Sequence, residues 1–304
     1  MRAPRAGVLG LLALVWGSNF FWIKVALRGF APDQVAVVRL VLGAGVLVAV
    51  VLLTGDRLPT SPTLWFHLAV AAVLGNVGPY LLFAYAEQRV DSSIAGIVNA
   101  TTPLWTVIVV VAVRHGARLS AWRLVGTGVG FVGALILFAP WSHGSQITSV
   151  SGLECLAAAA LYALTFVYMA RFVAPSGLPP LTLAAGQLLV SGVLISLSLP
   201  VLGRHAVHLS WEPVAAAVML GAVGTGLAYV LNYTLIAESG AAATSLVTYL
   251  MPIVSVALGV AVLGESLPWR VVVGAVIVLA GVAVTRRPDV AVPAPEAPPV
   301  EPLT

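Results

Sequence analysis

The amino-acid sequence predicts an all-α integral membrane protein whose ten transmembrane helices form two inverted five-helix repeats. Three observations lead to this fold class: the composition, the division of the chain into apolar segments, and an internal duplication. Of the 304 residues, 60% are hydrophobic and only 9% are charged, whereas a soluble domain carries about 25% charged residues. Because so few charges cannot keep a surface in contact with water, we expect lipid to be the main solvent, in which helices satisfy their own backbone groups.

Apolar segments of spanning length follow one another along most of the chain. A helix needs about 20 apolar residues to cross a hydrocarbon layer of ~30 Å, and breaks at proline, glycine and charged residues divide the sequence into ten such segments. The first is too long for the apolar core of a signal peptide, so we interpret it as a spanning helix. The predicted spans are 6–28, 34–54, 64–86, 91–113, 120–140, 150–171, 180–202, 212–235, 240–263 and 267–285.

The connectors are short, which leaves no room for a catalytic domain outside the membrane. Six prolines fall in the last 17 residues, so segment 286–304 is predicted to be a disordered, Pro-rich cytoplasmic tail. Basic residues favour cytoplasmic segments. With the N-terminus inside, nine arginines fall in cytoplasmic segments and five basic residues in outside ones. The sequence therefore predicts a multi-pass protein of the cell (inner) membrane with both termini in the cytoplasm.

A shift of about 149 residues brings two parts of the chain into register. Gly75 and Tyr80 in the third predicted helix then meet Gly224 and Tyr229 in the eighth. The prolines of the fourth and ninth helices meet at the same shift, and glycines of the fifth and tenth meet at a shift one residue shorter. Because five is an odd number, the second copy must enter the membrane from the opposite side. We therefore expect inverted repeats, and their predicted bounds are 6–140 and 150–285.

The duplication also predicts a function, because many secondary transporters use inverted repeats to expose one site to each side in turn. We expect a transporter of small organic metabolites that works by alternating access. A sugar-phosphate or nucleotide-sugar carrier is the alternative within transport, but it would call for more basic residues in the cavity than Lys24 and Arg39. A membrane-embedded enzyme would require clustered acids or histidines, and a scaffold does not need an inverted duplication. No enzymatic activity is expected.

Several motifs resemble those of a known family. They are Trp16-Gly17-Ser18-Asn19 followed by Lys24 in the first helix, Arg39 in the second, the prolines of the fourth and ninth, and Gly264-Glu265-x-Leu267 before the tenth. Together they resemble the EamA-type members of the drug/metabolite transporter superfamily, over roughly residues 6–285. The resemblance implies a ten-helix exporter or importer of amino acids or other metabolites, with a central cavity lined mainly by helices 1, 3, 4, 6, 8 and 9.

Two departures from the family pattern bear on energy coupling. The first half has Ala117 where the second has Glu265. Small multidrug transporters of the same superfamily place a membrane-embedded glutamate where Trp16 stands here, so their proton-for-cation exchange is not carried over. The middles of the ten predicted spans contain no Asp or Glu. The sequence therefore favours facilitated diffusion, as in the export of excess metabolite, over coupling to protons.

Polar side chains within the predicted spans are the candidates for a substrate site, since such residues are costly in lipid and usually face the bundle interior. Aromatic rings beside them would bind planar or cationic solutes by stacking and cation–π attraction, which favours amino acids. The substrate-binding candidates are Trp16, Asn19, Asn76, Tyr80, Asn99, Thr102, Tyr162, Tyr229, Asn232 and Thr248. The alternative is that hydroxyls bond back to their own helix and that aromatic rings anchor at the lipid interface.

Pro103 and Pro252 are predicted to kink the fourth and ninth helices. Proline removes a backbone hydrogen bond and clashes with the carbonyl four residues earlier, which belongs to Asn99 or Thr248. The freed carbonyls would offer hydrogen-bond acceptors to a solute. A kink that only aids packing is the alternative.

Three charged residues are predicted to lie near the outer end of the cavity. Lys24 and Arg39, with Glu87 within reach, would form a salt-bridge gate or a carboxylate-binding pair. Structural pairing of these charges, or snorkelling of the long basic side chains to the interface, is the alternative.

No metal or cofactor site is predicted. Only His205 and His208 lie close together among the histidines, and the common hydrolase and phosphate-loop motifs are absent. The single cysteine, Cys155, excludes an intramolecular disulfide. The basic residues are scattered through short loops, so no nucleic-acid partner is expected. The expected partners are a small-molecule substrate and the lipid bilayer, in a monomer or a homodimer.

Overall fold

The structure, a computed structural model, describes residues 3–113, 121–138, 150–202, 205–232, 234–235 and 247–285. Within these ranges the chain is helical with short connectors and contains no strand, so the predicted all-α fold is confirmed. The predicted tail after the tenth span lies outside the described residues.

The helical elements follow the order of the predicted spans. In chain order the α-helices are α1 (Ala3–Gly17), α2 (Asn19–Ala26), α3 (Pro32–Leu53), α4 (Pro62–Ala72), α5 (Gly78–Ala86), α6 (Ser92–Asn99), α7 (Thr102–Val113), α8 (Ala121–Phe138), α9 (Val150–Phe172), α10 (Pro180–Leu202), α11 (Trp211–Val218), α12 (Val247–Leu263) and α13 (Trp269–Thr285). Two π-helical segments, π1 (Val73–Val77) and π2 (Met219–Leu227), lie within the third and eighth spans.

Seven helical segments of the described chain are long and apolar enough to cross a membrane, and three shorter apolar helices accompany them. In chain order they occupy the ten predicted spans, which we number span 1 to span 10. Large apolar side chains such as Leu53, Phe66 and Leu197 are exposed on their outer faces. These faces suit lipid and not water, as expected for a multi-pass membrane protein.

The two proline-containing spans differ in their course. In span 4, α6 ends at Asn99 and α7 begins at Thr102, next to Pro103. The Thr102 hydroxyl donates to the Asn99 carbonyl at 2.7 Å. Span 9 continues through Pro252, which lies inside α12. The helix is therefore interrupted beside the first proline, whereas it runs on through the second.

The contacts between spans follow the same pattern when each span is replaced by its counterpart in the other half. Helix α3 of span 2 packs against π2 of span 8, and its counterpart α10 of span 7 packs against π1 of span 3. Likewise α5 packs on α9 and α11 on α2, while α1 packs on α12 and α7 on α9. The pairs α6 with α12, α8 with α13 and α3 with α10 each join equivalent spans. A duplicated five-helix unit predicts this pattern.

Glycines allow the closest of these contacts. A Cβ atom on Gly133 of α8 would collide with backbone atoms of Gly274 and Val278 in α13, and one on Gly281 would collide with the backbone of Gly130. Because lipid tails are as apolar as the side chains, close packing of this kind stabilises helix association in a membrane. Spans 5 and 10 therefore pack backbone against backbone at these glycines.

Candidate substrate-binding site

The two π-helical segments lie at equivalent places in the two halves. At the shift of 149 residues, π1 corresponds to residues 222–226, which lie within π2. Such segments interrupt the regular backbone hydrogen bonding of an α-helix and are frequent at functional sites. In π2, the Thr225 hydroxyl donates to the carbonyl of Leu220, five residues earlier, at 2.9 Å. The polar contacts between the halves are centred on these two segments.

Arg39 of α3 is held between the two halves and is only 7% exposed. Its Nε atom donates to the hydroxyl of Thr225 in π2 at 3.0 Å. Its guanidinium carbon lies 3.7 Å from the centroid of the Tyr80 ring in α5, within the range of cation–π attraction. Spans 3 and 8 therefore fix the position of a buried positive charge.

Asn76 of π1 is completely buried and is the centre of a second set of hydrogen bonds. Its Oδ1 atom accepts hydrogen bonds from Gln187 Nε2 at 2.6 Å and from the Ser191 hydroxyl at 3.3 Å. Its amide nitrogen donates to the Tyr229 hydroxyl at 3.3 Å. Spans 3, 7 and 8 meet at this asparagine.

Arg39 and Gln187 make equivalent contacts in the two halves. A shift of 148 residues matches them, and each contacts the π-helical segment of the opposite half, through Thr225 or Asn76. Neither Gln187 nor Ser191 was predicted as a site residue. The duplication carried a signal for Gln187, because this residue stands at the position equivalent to Arg39.

Span 1 reaches the same region through Trp16 and Asn19. The Asn19 amide nitrogen donates to the carbonyl of Gly224 in π2 at 3.3 Å. A Cβ atom on Gly224 would collide with Asn19, so glycine is needed at this close approach. The ring of Trp16 meets that of Tyr229 edge to face, with 6.4 Å between the centroids.

These contacts define the polar cluster. Asn76 and Tyr80 are one turn apart on span 3, and Thr225 and Tyr229 are one turn apart on span 8, so the contacts form one connected group. Its members are Trp16, Asn19, Arg39, Asn76, Tyr80, Gln187, Ser191, Thr225 and Tyr229. Five of the predicted substrate-binding residues and Arg39 come together in it.

The other predicted residues with described side chains make none of the contacts that define this group. Tyr162 nevertheless adjoins it, because it packs against the apolar cluster that contains Tyr80 and interacts electrostatically with Tyr80 and Arg39. The ring of Tyr162 stacks on Phe83, with 6.3 Å between the centroids. Asn99 is half-buried, and its Oδ1 atom has no hydrogen-bond partner among the described residues. Asn232 is half-buried in span 8. The side chain of Thr248 lies outside the described residues.

A second group of polar contacts closes one end of the molecule, which we term the Glu265 end. Here the Lys24 ammonium donates to the backbone carbonyls of Glu87 at 2.7 Å and Val90 at 2.8 Å. These carbonyls belong to the last turn of α5 and the connector after it, where a positive charge is stabilised by the helix dipole. Lys24 and Glu87 are therefore neighbours, whereas Arg39 belongs to the polar cluster.

Glu265, in the connector between α12 and α13, binds the N-terminus of α6. Its carboxylate accepts hydrogen bonds from the amide and hydroxyl of Ser92, both at 2.8 Å, and from the amide and hydroxyl of Ser93, at 3.0 and 2.5 Å. Burial alone would raise the pKa of Glu265, but these four hydrogen bonds outweigh burial and hold the pKa below its usual range. We term Glu265, Ser92 and Ser93 the Glu265 clasp.

The clasp lies where spans 4 and 9 touch most closely. A Cβ atom on Gly259 of α12 would collide with Ser93 and Glu265, and one on Gly96 of α6 would collide with Ser255. At both places a glycine of one helix faces a serine side chain of the other, so spans 4 and 9 are in direct contact and close the Glu265 end between them.

Apolar spans around a buried polar cluster, shared by two equivalent halves, define the protein as a membrane transporter. The chain belongs to the EamA-like transporter family, which matches residues 6–139 and again residues 152–287. The resemblance seen in the sequence motifs is thereby confirmed, and so is the arrangement as two repeats.

Relatives of known sequence or structure agree with this assignment. The chain is similar to the uncharacterized inner membrane transporter YedA of Escherichia coli strain K12, with 28% identity over 272 residues that cover 87% of this chain and 84% of that protein. It is also similar to the uncharacterized transporter YdfC of Bacillus subtilis strain 168, with 25% identity over 284 residues that cover 90% and 88%. A solved crystal structure, 20% identical, matches the fold with a TM-score of 0.65 over 94% of this chain and 98% of its own.

Proposed function

We propose that this transporter exports small organic metabolites, with amino acids as the favoured class, by alternating access to the polar cluster. The observation that carries the proposal is the polar cluster itself, in which spans 1, 2, 3, 7 and 8 hold hydrogen-bonding groups away from lipid. Polar groups kept inside a membrane at such cost mark solute pathways. A movement of one half against the other would expose the cluster first to one side and then to the other.

The arrangement of the two halves supports this mechanism. Each half has five spans, and the contacts of one half are repeated by the other, as inverted repeats require. The distribution of basic residues favours an orientation in the cell (inner) membrane with both termini in the cytoplasm. That orientation puts the Glu265 end on the outside. The conformation with the clasp formed is then closed to the outside, and it is the state in which an exporter loads its solute.

The chemistry of the polar cluster supports solutes with several hydrogen-bonding groups. It offers amides, hydroxyls and aromatic rings, and among its described members Arg39 is the one cation. A sugar phosphate with two negative charges would favour a site with more cations than this. The aromatic rings of Trp16 and Tyr229 suit the apolar part of an amino acid.

Solute flux in proteoliposomes tests the proposal. The purified protein would be reconstituted and the exit of radiolabelled amino acids and other metabolites measured, with compounds chosen from a growth-protection screen of cells that overproduce it. Asn76→Ala should lower the flux roughly tenfold or more, because it removes the hydrogen bonds that Asn76 accepts from Gln187 and Ser191 and the one that it donates to Tyr229, at a cost of about 1–3 kcal/mol. Gln88→Ala, which removes an exposed amide, is the matched control. Flux no faster than that of protein-free liposomes for every compound would refute the proposal.

A further inference from the structure

Arg39 has a hydrogen-bonding edge that the protein does not use. Its Nε atom is bound by Thr225, and one face of its guanidinium is covered by Tyr80. Within the described ranges, no residue accepts a hydrogen bond from its two terminal nitrogens, and no acid forms a salt bridge with it. These nitrogens are not among the buried polar atoms that lack a partner, so they remain accessible to water. The terminal nitrogens are therefore not completely sealed and can take a partner from outside the protein.

A guanidinium in this position is costly without a counter-charge. Arginine stays protonated in proteins, so it cannot escape the cost of burial by losing its charge. Arg39 is the eighth residue of α3, which puts it about 10 Å along the helix at 1.5 Å per residue. It is thus well inside the membrane, at the junction of the two halves. Glu87 interacts electrostatically with Arg39 but forms no salt bridge with it, so an anion that arrives and leaves would supply a partner at hydrogen-bonding distance.

We propose that Arg39 binds the carboxylate of the transported solute through its free edge, so that the substrates are organic acids, amino acids among them. The inference deepens the proposed function and rests on it. Two parallel N–H···O bonds from a guanidinium to a carboxylate are short, strong and directional. Thr225 and Tyr80 hold the guanidinium before the solute arrives, which lowers the entropy lost on binding.

The surroundings of Arg39 explain why the acid group would be required and not merely preferred. A solute without a negative charge would leave the guanidinium uncompensated, and a site built around a polar partner rejects analogues that lack it by factors of up to about 10⁴. The hydroxyl of Tyr229 and the ring of Trp16 belong to the same cluster and would contact the rest of the solute. Arg39 would then select solutes that carry an acid group, whereas Trp16 and Tyr229 would accept a range of solute side chains.

Matched pairs of compounds test this inference. Flux of the wild-type protein would be compared for L-phenylalanine, 3-phenylpropionate, 2-phenylethylamine and L-phenylalaninamide, and for the acid and amide forms of the other compounds found in the growth screen. Glucose 6-phosphate and inorganic phosphate form a separate arm for phosphate as the anion. We expect the carboxylates to move at least roughly a hundredfold faster than their amides or decarboxylated partners.

Variants connect the preference to Arg39. Arg39→Gln should abolish the difference between acid and amide, and Arg39→Lys, which keeps the charge without the fork, should retain part of it. Arg28→Gln, at an exposed arginine, is the control and should leave the preference unchanged. If Arg39→Gln does not fold, the wild-type pairs and Arg39→Lys still decide the question.

The outcomes separate this inference from the proposed function. If the wild-type protein moves amides or amines as fast as acids, transport stands and the role of Arg39 is refuted. Faster movement of the phosphates than of any carboxylate refutes it as well, and so does a preference that survives in Arg39→Gln. If no compound moves at all, both proposals fail.

Discussion

Glu87 is a completely buried acid at the Glu265 end, and neither of its carboxylate oxygens has a hydrogen-bond partner among the described residues. Burial raises the pKa of Glu87 well above its usual range, although the positive charge of Lys24 opposes the effect. Burial therefore favours the protonated form of Glu87 when this end is closed. Opening of the end would admit water, lower the pKa of Glu87 and favour release of its proton.

This difference predicts that pH controls the closure. Because the pKa is higher in the closed state, protonation stabilises closure fully at low pH, and the stabilisation is lost as pH rises through the closed-state pKa. Within that window, each pH unit should change the ratio of open to closed molecules by up to about tenfold. Glu87→Gln should remove the dependence and keep the end closed.

The reactivity of Cys155 measures the opening of the Glu265 end. Cys155 is buried in the same apolar cluster as Ala86 and Val90, so its alkylation by N-ethylmaleimide reports opening of this end. Rates of the wild type and of Glu87→Gln would be compared at each pH after the ionisation of the thiol has been determined for each protein separately, because the charge of Glu87 acts on this thiol. Glu212→Gln, at an exposed acid, should behave as the wild type. Identical pH profiles for the wild type and Glu87→Gln would contradict the prediction.

Single residues also show where prediction from sequence stops. Glu265 lies in the sequence motif just before span 10, and its carboxylate caps a helix. The capped helix, however, is α6, which begins 173 residues earlier in the chain. Sequence spacing predicts contacts within one helix, whereas this contact depends on how spans 4 and 9 cross. Gln187, by contrast, could have been predicted from the sequence, because the duplication places it at the position equivalent to Arg39.

At the scale of helices, composition and spacing predicted the spans well. Span 8, for example, was expected at 212–235 and is observed at Trp211–Asn232. The π-helical segments were not predicted, although the repeated Gly75 and Gly224 marked their positions. A glycine followed by a small or polar residue is compatible with both α- and π-helical backbone, and the choice depends on the neighbouring helix. In π2 that neighbour is Asn19, which binds the carbonyl of Gly224.

Substitution of Gly224 tests the importance of this approach. In Gly224→Ala the new methyl group would displace the Asn19 amide and break its hydrogen bond to the Gly224 carbonyl, at a cost in unfolding free energy of about 1–3 kcal/mol. We expect a lower midpoint of thermal unfolding and a loss of flux. Gly45→Ala is the matched control, because nothing lies within 4 Å of its added Cβ atom. A helical glycine replaced by alanine in open space should be neutral or slightly stabilising, by about 0.5–1 kcal/mol.

At the scale of the whole molecule, the inverted relation of the two halves predicts the sidedness of equivalent residues. Arg28 and Ser176 are equivalent at a shift of 148 residues, and both are exposed in connectors. In a Cys155→Ala background, Arg28→Cys should react with a membrane-impermeant maleimide in intact cells, and Ser176→Cys only after permeabilisation. Loss of the exposed ion pair between Arg28 and Glu212 should cost about 0–1 kcal/mol. Labelling of both residues from one side would refute the inversion.

The Glu265 clasp makes the two ends of this transporter unequal. Ala117 stands where Glu265 would be repeated at a shift of 148 residues, and Ala241 and Ala242 stand where the two serines would be at the shift of 149 that matches the prolines of spans 4 and 9. In the sequence, the equivalent positions of the other half therefore lack the acid and the hydroxyls of this clasp. A carrier whose two ends are closed by equivalent contacts would spend equal time open to each side of the membrane. If the termini lie in the cytoplasm and the protein exports, as proposed, this carrier would return after each release to the side where metabolites accumulate. The slow step of its cycle would then be outward opening and not reloading.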